Sequence, residues 1–349
     1  MRIGAVLLSA LACTLGSSAA EKAPLPLLAT IPLPNVTGRF DHSAVDLEGQ
    51  RLFVTARDGD TVEVVDLREG RVVHSLGGFA QPQGAFYVPS AKKLFVSSAR
   101  DGTLKIIDGR SLEVVNTIQL STGANVIAYD PRANHLYIGH GGRQAGDPPT
   151  AKRDAGQIAI VDAAKGTQIG NIRTNAELRP GAIVLESGGP RLFTTNAFGS
   201  EVVVIDRKKG VVLATWPIPS AERSGTVALD EARRRLFVGT RKPGLVIVLD
   251  MDSGRQVTSF PTVDGIDRLL YDAANKRLYA TGSPKIPKNV GAIEAYRQVD
   301  ADHYERLATI PTGQDGGTSL LVPATNRLYV TLPRDGERNA EIRVYDTEP

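Results

Sequence analysis

Short runs of alternating apolar and polar residues, separated by turns rich in Asp and Gly, follow one another along most of the chain. Runs such as Val62-Glu63-Val64-Val65-Asp66 have the two-residue period and the β-branched content that are typical of strands. After the N-terminal apolar segment, no stretch has the 3.6-residue spacing of an amphipathic helix. The pattern therefore predicts an all-β protein.

A four-residue pattern, which consists of a basic or polar residue, Leu, an aromatic residue and usually an aliphatic one, occurs seven times. Its leucines, called the anchor leucines below, are Leu52, Leu94, Leu136, Leu192, Leu236, Leu278 and Leu328. Successive anchor leucines are 42, 42, 56, 44, 42 and 50 residues apart. A repeat of this length fits a unit of four short strands, which is one blade of a β-propeller.

The two ends of the chain predict how the ring of blades closes. The seventh unit stops at Asp346-Thr347-Glu348-Pro349, before a fourth strand, whereas residues 27–32 belong to no unit and resemble the fourth strand at residues 307–311. We expect residues 27–32 to complete the last blade, which would also cover an exposed sheet edge. Residues 21–349 are thus predicted to form a single seven-bladed β-propeller with four antiparallel strands per blade.

Residues 1–20 have the character of a secretory signal peptide. A positive start at Met1-Arg2 precedes an apolar run, and small residues follow at positions 18–20. We expect cleavage after Ala20 and a periplasmic or secreted protein. Acylation of Cys13, which would make the chain a lipoprotein, is the alternative. The apolar run is too short to span a bilayer and no later run is longer, so no transmembrane segment is predicted.

The composition narrows the possible classes of function. Hydrophobic residues make up 42% and charged residues 23%, which indicates a folded chain. The 41 basic and 38 acidic residues leave a net charge of +3, so nucleic acid is not indicated as a partner. The single cysteine excludes an intramolecular disulfide framework and a multi-cysteine zinc site. We expect a monomer that requires no cofactor.

Several repeats resemble a known motif. The segments Leu52-Phe53-Val54-Thr55, Leu192-Phe193-Thr194-Thr195-Asn196 and Leu328-Tyr329-Val330-Thr331 are similar to the Tyr-Val-Thr-Asn (YVTN) repeat. Together with the Val-Val-Asp and Gly-Arg-Val-Val elements, they make the chain similar to the exported, YncE-like seven-bladed propellers of bacteria. The resemblance implies a periplasmic or secreted binding protein and does not indicate an enzyme.

The first strand of each propeller blade lines the central channel and begins at one mouth. Alignment on the anchor leucines places mainly polar or small residues at that mouth and apolar ones deeper. The predicted mouth residues are Asp41, His42, Gln83, Asn125, Arg179, Asp267, Arg268 and Thr318. Ordered water alone would also account for a polar ring. Calcium held by Asp41, Asn125 and Asp267 is one alternative. Another is an anionic small molecule attracted by His42, Arg179 and Arg268.

The loops between the second and third strands should open on the same face and carry much of its charge. The residues singled out there are Arg57, Arg100, His140, Arg143, Arg241, Lys242 and Arg334. Such a basic face could attract an anionic partner. The simpler interpretation is solvated charge beside ordinary Asp-Gly turns.

Two functional hypotheses remain. The first is a non-catalytic binding scaffold that holds a small ligand or protein partner at the mouth and loops, because no Gly-x-Ser-x-Gly elbow, phosphate loop or dinucleotide motif occurs. The second is a hydrolase or isomerase acting there on a lactone or sugar acid. Lactonase-type propellers need a carboxylate-rich mouth, and Gly181 and Gly225 leave gaps in this ring.

Overall fold

A computed structural model describes residues 25–144, 147–148, 150, 153–174, 177–196, 199–220, 222–284 and 290–348. The predicted signal peptide, including Cys13, lies outside the described residues. The helices within these ranges are the short 3-10 turns Arg57–Gly59 and Pro323–Thr325. Neither they nor any other described helix has the length and apolarity needed to cross a membrane.

The described strands form seven four-stranded antiparallel sheets. Six sheets each contain four consecutive strands, numbered from the centre of the molecule outwards. Blade 1 contains β2 (Phe40–Asp46), β3 (Arg51–Ala56), β4 (Thr61–Asp66) and β5 (Arg71–Leu76). Blade 2 contains β6 (Pro82–Val88), β7 (Lys93–Ser98), β8 (Thr103–Asp108) and β9 (Val114–Gln119). Blade 3 contains β10 (Ile127–Asp130), β11 (His135–His140), β12 (Gln157–Asp162) and β13 (Thr167–Arg173).

The later blades follow the same plan until the last one. Blade 4 contains β14 (Pro180–Leu185), β15 (Arg191–Asn196), β16 (Glu201–Asp206) and β17 (Val211–Pro217). Blade 5 contains β18 (Glu222–Asp230), β19 (Arg235–Lys242), β20 (Gly244–Asp250) and β21 (Gln256–Pro261). Blade 6 contains β22 (Ile266–Asp272), β23 (Arg277–Gly282), β24 (Ala292–Gln298) and β25 (Tyr304–Pro311). Blade 7 combines β26 (Ser319–Val322), β27 (Arg327–Leu332) and β28 (Ala340–Asp346) with β1 (Leu27–Leu33).

Seven hydrophobic cores, one between each pair of neighbouring blades, close the sheets into a ring. The anchor pattern supplies each core from both sides. Side chains alternate between the two faces of a strand, so Leu52 packs between blades 7 and 1 while Phe53 packs between blades 1 and 2. Both side chains are fully buried. The chain is a seven-bladed β-propeller.

The N-terminal strand completes blade 7, as the sequence predicts. Strand β1 pairs antiparallel with β28, with Leu33 opposite Ala340 and Ile31 opposite Ile342. Ile31 and Leu33 are buried in the core between blades 7 and 1. The two ends of the described chain are therefore joined by a hydrogen-bonded ladder as well as by side-chain packing.

The basic residue before most anchor leucines joins its blade to the next one on the face opposite the channel mouth. Arg51 donates to Gly109 O at 2.7 Å, for example, and so reaches from blade 1 to blade 2. These contacts, called the lower-face staples below, also run from Lys93 to Ala164 O, Arg191 to Met251 O, Arg235 to Asp302 and Arg277 to Thr347 O. Five of the seven interfaces between blades are thus joined by one repeated side-chain contact.

The interface between blades 3 and 4 has an ion pair in place of a lower-face staple, because the residue before its anchor leucine is His135. Here Arg207 of blade 4 reaches back to Asp130 of blade 3, with Nη2 and Oδ2 3.0 Å apart. The two side chains are only 5% and 10% exposed, so this ion pair is nearly removed from water.

Three predicted loop residues lie in strands instead. Arg241 and Lys242 belong to β19, because Arg241 still pairs with Gly244 and leaves a very short connection to β20. His140 ends β11 opposite Gln157 and is 3% exposed, so it is a buried strand residue.

Candidate functional site

A polar cavity of about 430 Å³ lies at the mouth of the central channel. It is called the mouth cavity below. All eight predicted mouth residues line it: Asp41, His42, Gln83, Asn125, Arg179, Asp267, Arg268 and Thr318. They come from six of the seven blades. Of the predicted loop residues, Arg57 and Arg241 also line the cavity. The alignment on the anchor leucines thus brings the predicted polar ring together in space.

A left-handed backbone turn shapes the rim of the mouth cavity. It occurs thirteen residues before the anchor leucine, at Gln81 (φ 63°), Asp315 (φ 55°) and Arg223 (φ 71°) among others. Side chains other than Gly seldom adopt this conformation. The strand connection of the preceding blade supports each turn: Asp60 accepts from the Gln81 N–H at 2.8 Å, and Ser283 Oγ accepts from the Asp315 N–H at 3.1 Å.

The sequence analysis did not identify most of the residues that line the cavity at this position of the repeat. Thirteen residues before the anchor leucines, the lining residues are Arg39, Gln81, Arg179, Gly265 and Asp315, and only Arg179 was singled out. The signal was available in the repeat alignment, two residues before the polar ring. Gln81, Gly265 and Asp315 combine the left-handed turn with a place in the lining, whereas Arg39 and Arg179 line the cavity without it.

Asp267 is the carboxylate with the most partners in the mouth cavity. Arg241 Nη2 lies 3.1 Å from Asp267 Oδ1, and the Thr318 hydroxyl donates to Asp267 Oδ2 at 3.0 Å. Burial would raise the pKa of Asp267, but Arg241, Thr318 and the neighbouring cations outweigh burial and lower it. Asp267 is therefore ionised at neutral pH.

His42 lies between a cation and an anion. Arg268 Nη1 is 2.7 Å from His42 Nδ1. A guanidinium can only donate, so Nδ1 accepts and the imidazole proton is on Nε2, 3.5 Å from Asp41 Oδ1. Burial and the nearby Arg268 lower the pKa of His42, so the ring is neutral at physiological pH.

Asp41 differs from Asp267 in its protonation. Burial, and then the negative charge of Asp267, raise the pKa of Asp41 to about 6, although Arg57, Arg179 and Arg268 act in the opposite direction. Its Oδ1 accepts the His42 backbone N–H at 3.1 Å. Two aspartates in one cavity thus have pKa values displaced in opposite directions.

Arginine is the dominant charged residue of the mouth cavity. Five arginines and three aspartates are among its lining residues. Arg39 is paired with Asp58, just outside the lining, at 3.1 Å. Arg179 donates to the Gln83 side-chain oxygen at 3.0 Å, and burial lowers the pKa of Arg179 only to about 10, so it stays charged. The cavity therefore has a positive excess at neutral pH.

The calcium hypothesis stays a prediction. Asp41, Asn125 and Asp267 do line one cavity, but the positive excess around them opposes a cation. Among the described residues, no group of three or more His, Cys, Asp or Glu side chains is arranged to hold a metal ion.

The remaining predicted loop residues lie outside the mouth cavity. Arg100 is exposed and pairs with Asp60 at 2.9 Å. Arg143 forms an isolated bridge with Leu178, while Lys242 is exposed at the end of β19. Arg334 is exposed and donates to Pro34 O at 2.6 Å. His140 is engaged on both ring nitrogens, by the Ser121 N–H and Asn171 Oδ1.

A second cavity of about 450 Å³ continues down the channel. Apolar side chains of the first strands line much of it, namely Phe86, Ala128, Val184, Ala228, Leu270 and Leu320. His42 and Arg268 line both cavities and mark the boundary between them. Polar groups that could hold a ligand are thus concentrated above this pair.

Comparisons with known proteins agree with the propeller fold and identify no ligand or activity for this chain. No family model matches the chain. The chain is 27% identical over 99 residues to the uncharacterized protein YncE of Salmonella typhi, and the match covers 28% of each protein. It is also 29% identical over 107 residues to eukaryotic translation initiation factor 3 subunit I of Drosophila pseudoobscura, which covers 30% of this chain and 32% of that protein. The matched stretches thus span less than a third of these relatives.

Two solved structures resemble the whole chain. A chain of the mitotic checkpoint complex superposes with a TM-score of 0.73 at 13% identity, over 100% of this chain and 99% of that one. The β-propeller domain of Cps50 (Swd1) from Myceliophteria thermophila gives 0.69 at 14% identity, over 93% of this chain and 100% of that one. At such identities the likeness shows the seven-bladed fold alone.

Proposed function

We propose that this protein is an exported, non-catalytic binding scaffold that holds a small polar ligand in the mouth cavity. One observation carries the proposal: eight polar side chains from six blades converge on a single cavity of about 430 Å³. Concave sites in which a few polar groups converge are typical of small-molecule binding. The rigid ring below supplies the fixed geometry that such a site needs.

Ligand screening of the purified mature chain tests this proposal. Thermal shift against neutral sugars, amines and organic acids, followed by calorimetry on the hits, would give the affinity. Gln83 is 3% exposed and holds Arg179 through its side-chain oxygen. We expect Gln83→Leu to weaken binding about tenfold, which is roughly 1.4 kcal/mol. Gln168→Leu, on the exposed outer strand β13, is the matched control and should leave binding unchanged.

A hit whose affinity is the same in Gln83→Leu and in wild type would place the ligand elsewhere. Failure of every compound class to bind would remove the small-ligand proposal. A protein partner would then be the next candidate. It has one supporting observation, the similarity to a chain of a multiprotein assembly, the mitotic checkpoint complex.

Export is part of the same proposal. The charged start, apolar run and small residues at positions 18–20 support a signal peptide, and the weak similarity to YncE is consistent with an exported YVTN-repeat propeller. Mass spectrometry of the protein from a cell fractionation should find a periplasmic chain that begins at Glu21. A fatty acid attached to Cys13 would instead establish the lipoprotein alternative, and an intact Met1 in the cytoplasm would contradict export.

One observation favours a second candidate, hydrolysis of a lactone or sugar acid. Asp41 and Asp267 share a cavity while their pKa values are displaced in opposite directions, which is the pattern of an acid and base pair. A screen of lactones and esters, with and without calcium, on wild type and Asp267→Ala tests this candidate. Turnover that is lost in Asp267→Ala would support it, and no turnover in wild type would exclude it.

A further inference from the structure

We propose that the lower part of the central channel is a second binding site, which takes a small carboxylate with an apolar tail. The site is the second cavity, of about 450 Å³, which meets the mouth cavity at His42 and Arg268. It is called the lower cavity below. The acidic end of the ligand faces Arg268, and its tail follows the first strands of the blades. This site goes beyond the proposed function, which concerns the mouth cavity alone.

The lower cavity has one cation and no acid among its described lining residues. The cation is Arg268, whereas Asp41 and Asp267 line only the mouth cavity. Arg268 Nη1 donates to Nδ1 of His42, which is neutral, and within the described chain no carboxylate forms an ion pair with Arg268. Charged groups inside proteins are normally paired. The lower cavity is therefore suited to a ligand with a single negative charge.

The walls of the lower cavity match an apolar ligand body. Phe86, Val184, Leu270 and Leu320 line it from four different blades. Each of these side chains packs into a core between blades and still keeps part of its surface exposed. Burying such apolar surface against a ligand is favourable in proportion to its area. Apolar walls around one charged group are typical of sites for small organic molecules.

Two tyrosines add apolar rings to the same walls. Tyr129 and Tyr271 line the lower cavity, but their hydroxyls are engaged outside it. The Tyr129 hydroxyl donates to Asn134 Oδ1 at 2.8 Å, and the Tyr271 hydroxyl donates to Gln298 Oε1 at 2.6 Å. Neither acceptor residue lines the cavity. Arg268 is therefore the group that fixes the orientation of an amphipathic ligand here.

The length of the lower cavity indicates the length of the tail. Arg268 and Tyr271 both line it from β22 and are three residues apart, which is about 10 Å at the usual rise of a strand. A medium-chain carboxylate such as octanoate has a tail of this length. Its alkyl chain can extend from Arg268 to the tyrosine rings without leaving the cavity.

Calorimetry on the full mature chain tests the inference with five probes: acetate, butanoate, hexanoate, octanoate and octanol. We expect the affinity of the carboxylates to rise with length, by up to about fourfold for each buried methylene. Octanol lacks the acidic group and should bind at least tenfold more weakly than octanoate. Equal affinities of octanol and octanoate would overturn the role of Arg268, and equal affinities of acetate and octanoate would overturn the apolar site.

Variants of the lower cavity locate the ligand. Ala128→Phe fills the cavity from β10 and should weaken octanoate binding at least tenfold. Ala308→Phe, the same change on the outer strand β25, is the matched control and should leave the affinity unchanged. Val184→Thr keeps the side-chain shape and covers the case in which Ala128→Phe fails to fold. It should still weaken octanoate binding about threefold, because it places a hydroxyl against the tail.

A variant of the charged group tests the acidic end of the ligand. Arg268→Met should weaken octanoate binding at least tenfold and remove the preference for octanoate over octanol, while octanol affinity changes little. Circular dichroism of the same sample checks that the variant is folded. A preference for octanoate that persists in folded Arg268→Met would contradict the assignment of Arg268.

The lower cavity and the mouth cavity can fail independently. Gln83 lines only the mouth cavity, so Gln83→Leu should leave octanoate binding unchanged. Octanoate affinity that falls in Gln83→Leu and not in Ala128→Phe would place octanoate in the mouth and overturn the lower site. The same affinity in wild type, Ala128→Phe and Val184→Thr would indicate binding elsewhere on the protein and would also overturn it. Absence of octanoate binding would remove the lower site and leave the proposed function intact.

Discussion

The lower face and the mouth of this propeller are built on opposite principles. On the lower face, the same basic residue before the anchor leucine reaches the next blade at five interfaces. At the mouth, the equivalent position holds Asp41, Gln83, Asn125, Gly181, Gly225, Asp267 and Gly317, so the side chain changes from blade to blade. In a repeat protein each unit packs only against its neighbours. Contacts that recur from blade to blade therefore hold the blades together, whereas polar side chains that differ from blade to blade indicate a candidate binding site.

Two carboxylates show the same contrast in their protonation. Glu186, near the lower face, is bound by Arg191 and Arg234, and these hydrogen bonds lower the pKa of Glu186 to about 2 despite its burial. Asp41, in the mouth cavity, has its pKa raised to about 6. The lower face thus stabilises the charged form of Glu186, whereas the environment of the mouth cavity favours the neutral form of Asp41.

The largest expected effect on stability is at the interface between blades 3 and 4. Arg207→Met leaves Asp130 buried without its cation, and breaking a nearly buried ion pair in this way costs about 3–5 kcal/mol. Urea denaturation monitored by circular dichroism measures the loss. Arg71→Met is the control, because the Arg71–Glu69 pair is more than half exposed and should contribute less than about 1 kcal/mol. Equal losses in the two variants would contradict the ranking.

The next effect depends on pH. Because the folded pKa of Glu186 lies below its ordinary value of 4.5, its contribution is full above about pH 4.5 and is lost as the pH falls towards 2. The shift corresponds to a contribution on the order of 3 kcal/mol. Glu186→Gln should therefore be less stable than wild type at pH 7, and this difference should shrink in acid. A pH-independent difference in unfolding free energy would disprove this assignment.

Asp41 should show the reverse sign. Its folded pKa lies above the ordinary value of 3.8, so its charge destabilises the protein increasingly as the pH rises from about 4 through 6. Asp41→Asn should be more stable than wild type by about 3 kcal/mol at pH 7 and equal to it below about pH 4. The same denaturation series at four or five pH values measures this crossover. A destabilised Asp41→Asn at pH 7 would mean that the carboxylate serves the fold.

The smallest expected effect sharpens the contrast between the two faces. Lys93→Met removes one lower-face staple, to Ala164 O, and should cost about 1 kcal/mol of stability. Ligand affinity should stay unchanged, because Lys93 does not line the mouth cavity. Calorimetry and denaturation on the same sample separate the two quantities. A loss of affinity in Lys93→Met would show that the lower face and the mouth are coupled.

The sequence predicts the fold of this protein well because the information is local and repeated. Each anchor supplies a leucine and an aromatic residue to opposite faces of a strand, and the turn before it follows a first strand that ends in Asp in four blades, at Asp46, Asp130, Asp230 and Asp272. The extra strand at the N-terminus is also predictable, since the incomplete seventh unit needs it. Patterns with a two-residue period determine these features without knowledge of distant contacts.

The mouth is only partly predictable. The repeat alignment identifies Asp41 and Asp267 as mouth residues, but it cannot show that Arg57, in a 3-10 turn, and Arg241, near the end of β19, also line the cavity. The Arg241 side chain, for example, contacts Asp267 of the next blade. The structure also corrects the prediction for His140. Its flanking glycines and charges resemble a loop, whereas pairing with Gln157 places it in a strand.

Blade 7 contains strands from both ends of the chain, and this has a consequence for unfolding. In an open array the terminal unit can peel away alone, because it has a neighbour on one side only. Here β1 cannot detach without exposing the edge of β28, and Asp346 N also donates to Pro26 O at 2.9 Å. The first and last segments should thus fray as one cooperative unit, with matching hydrogen-exchange rates for amides some three hundred residues apart in sequence.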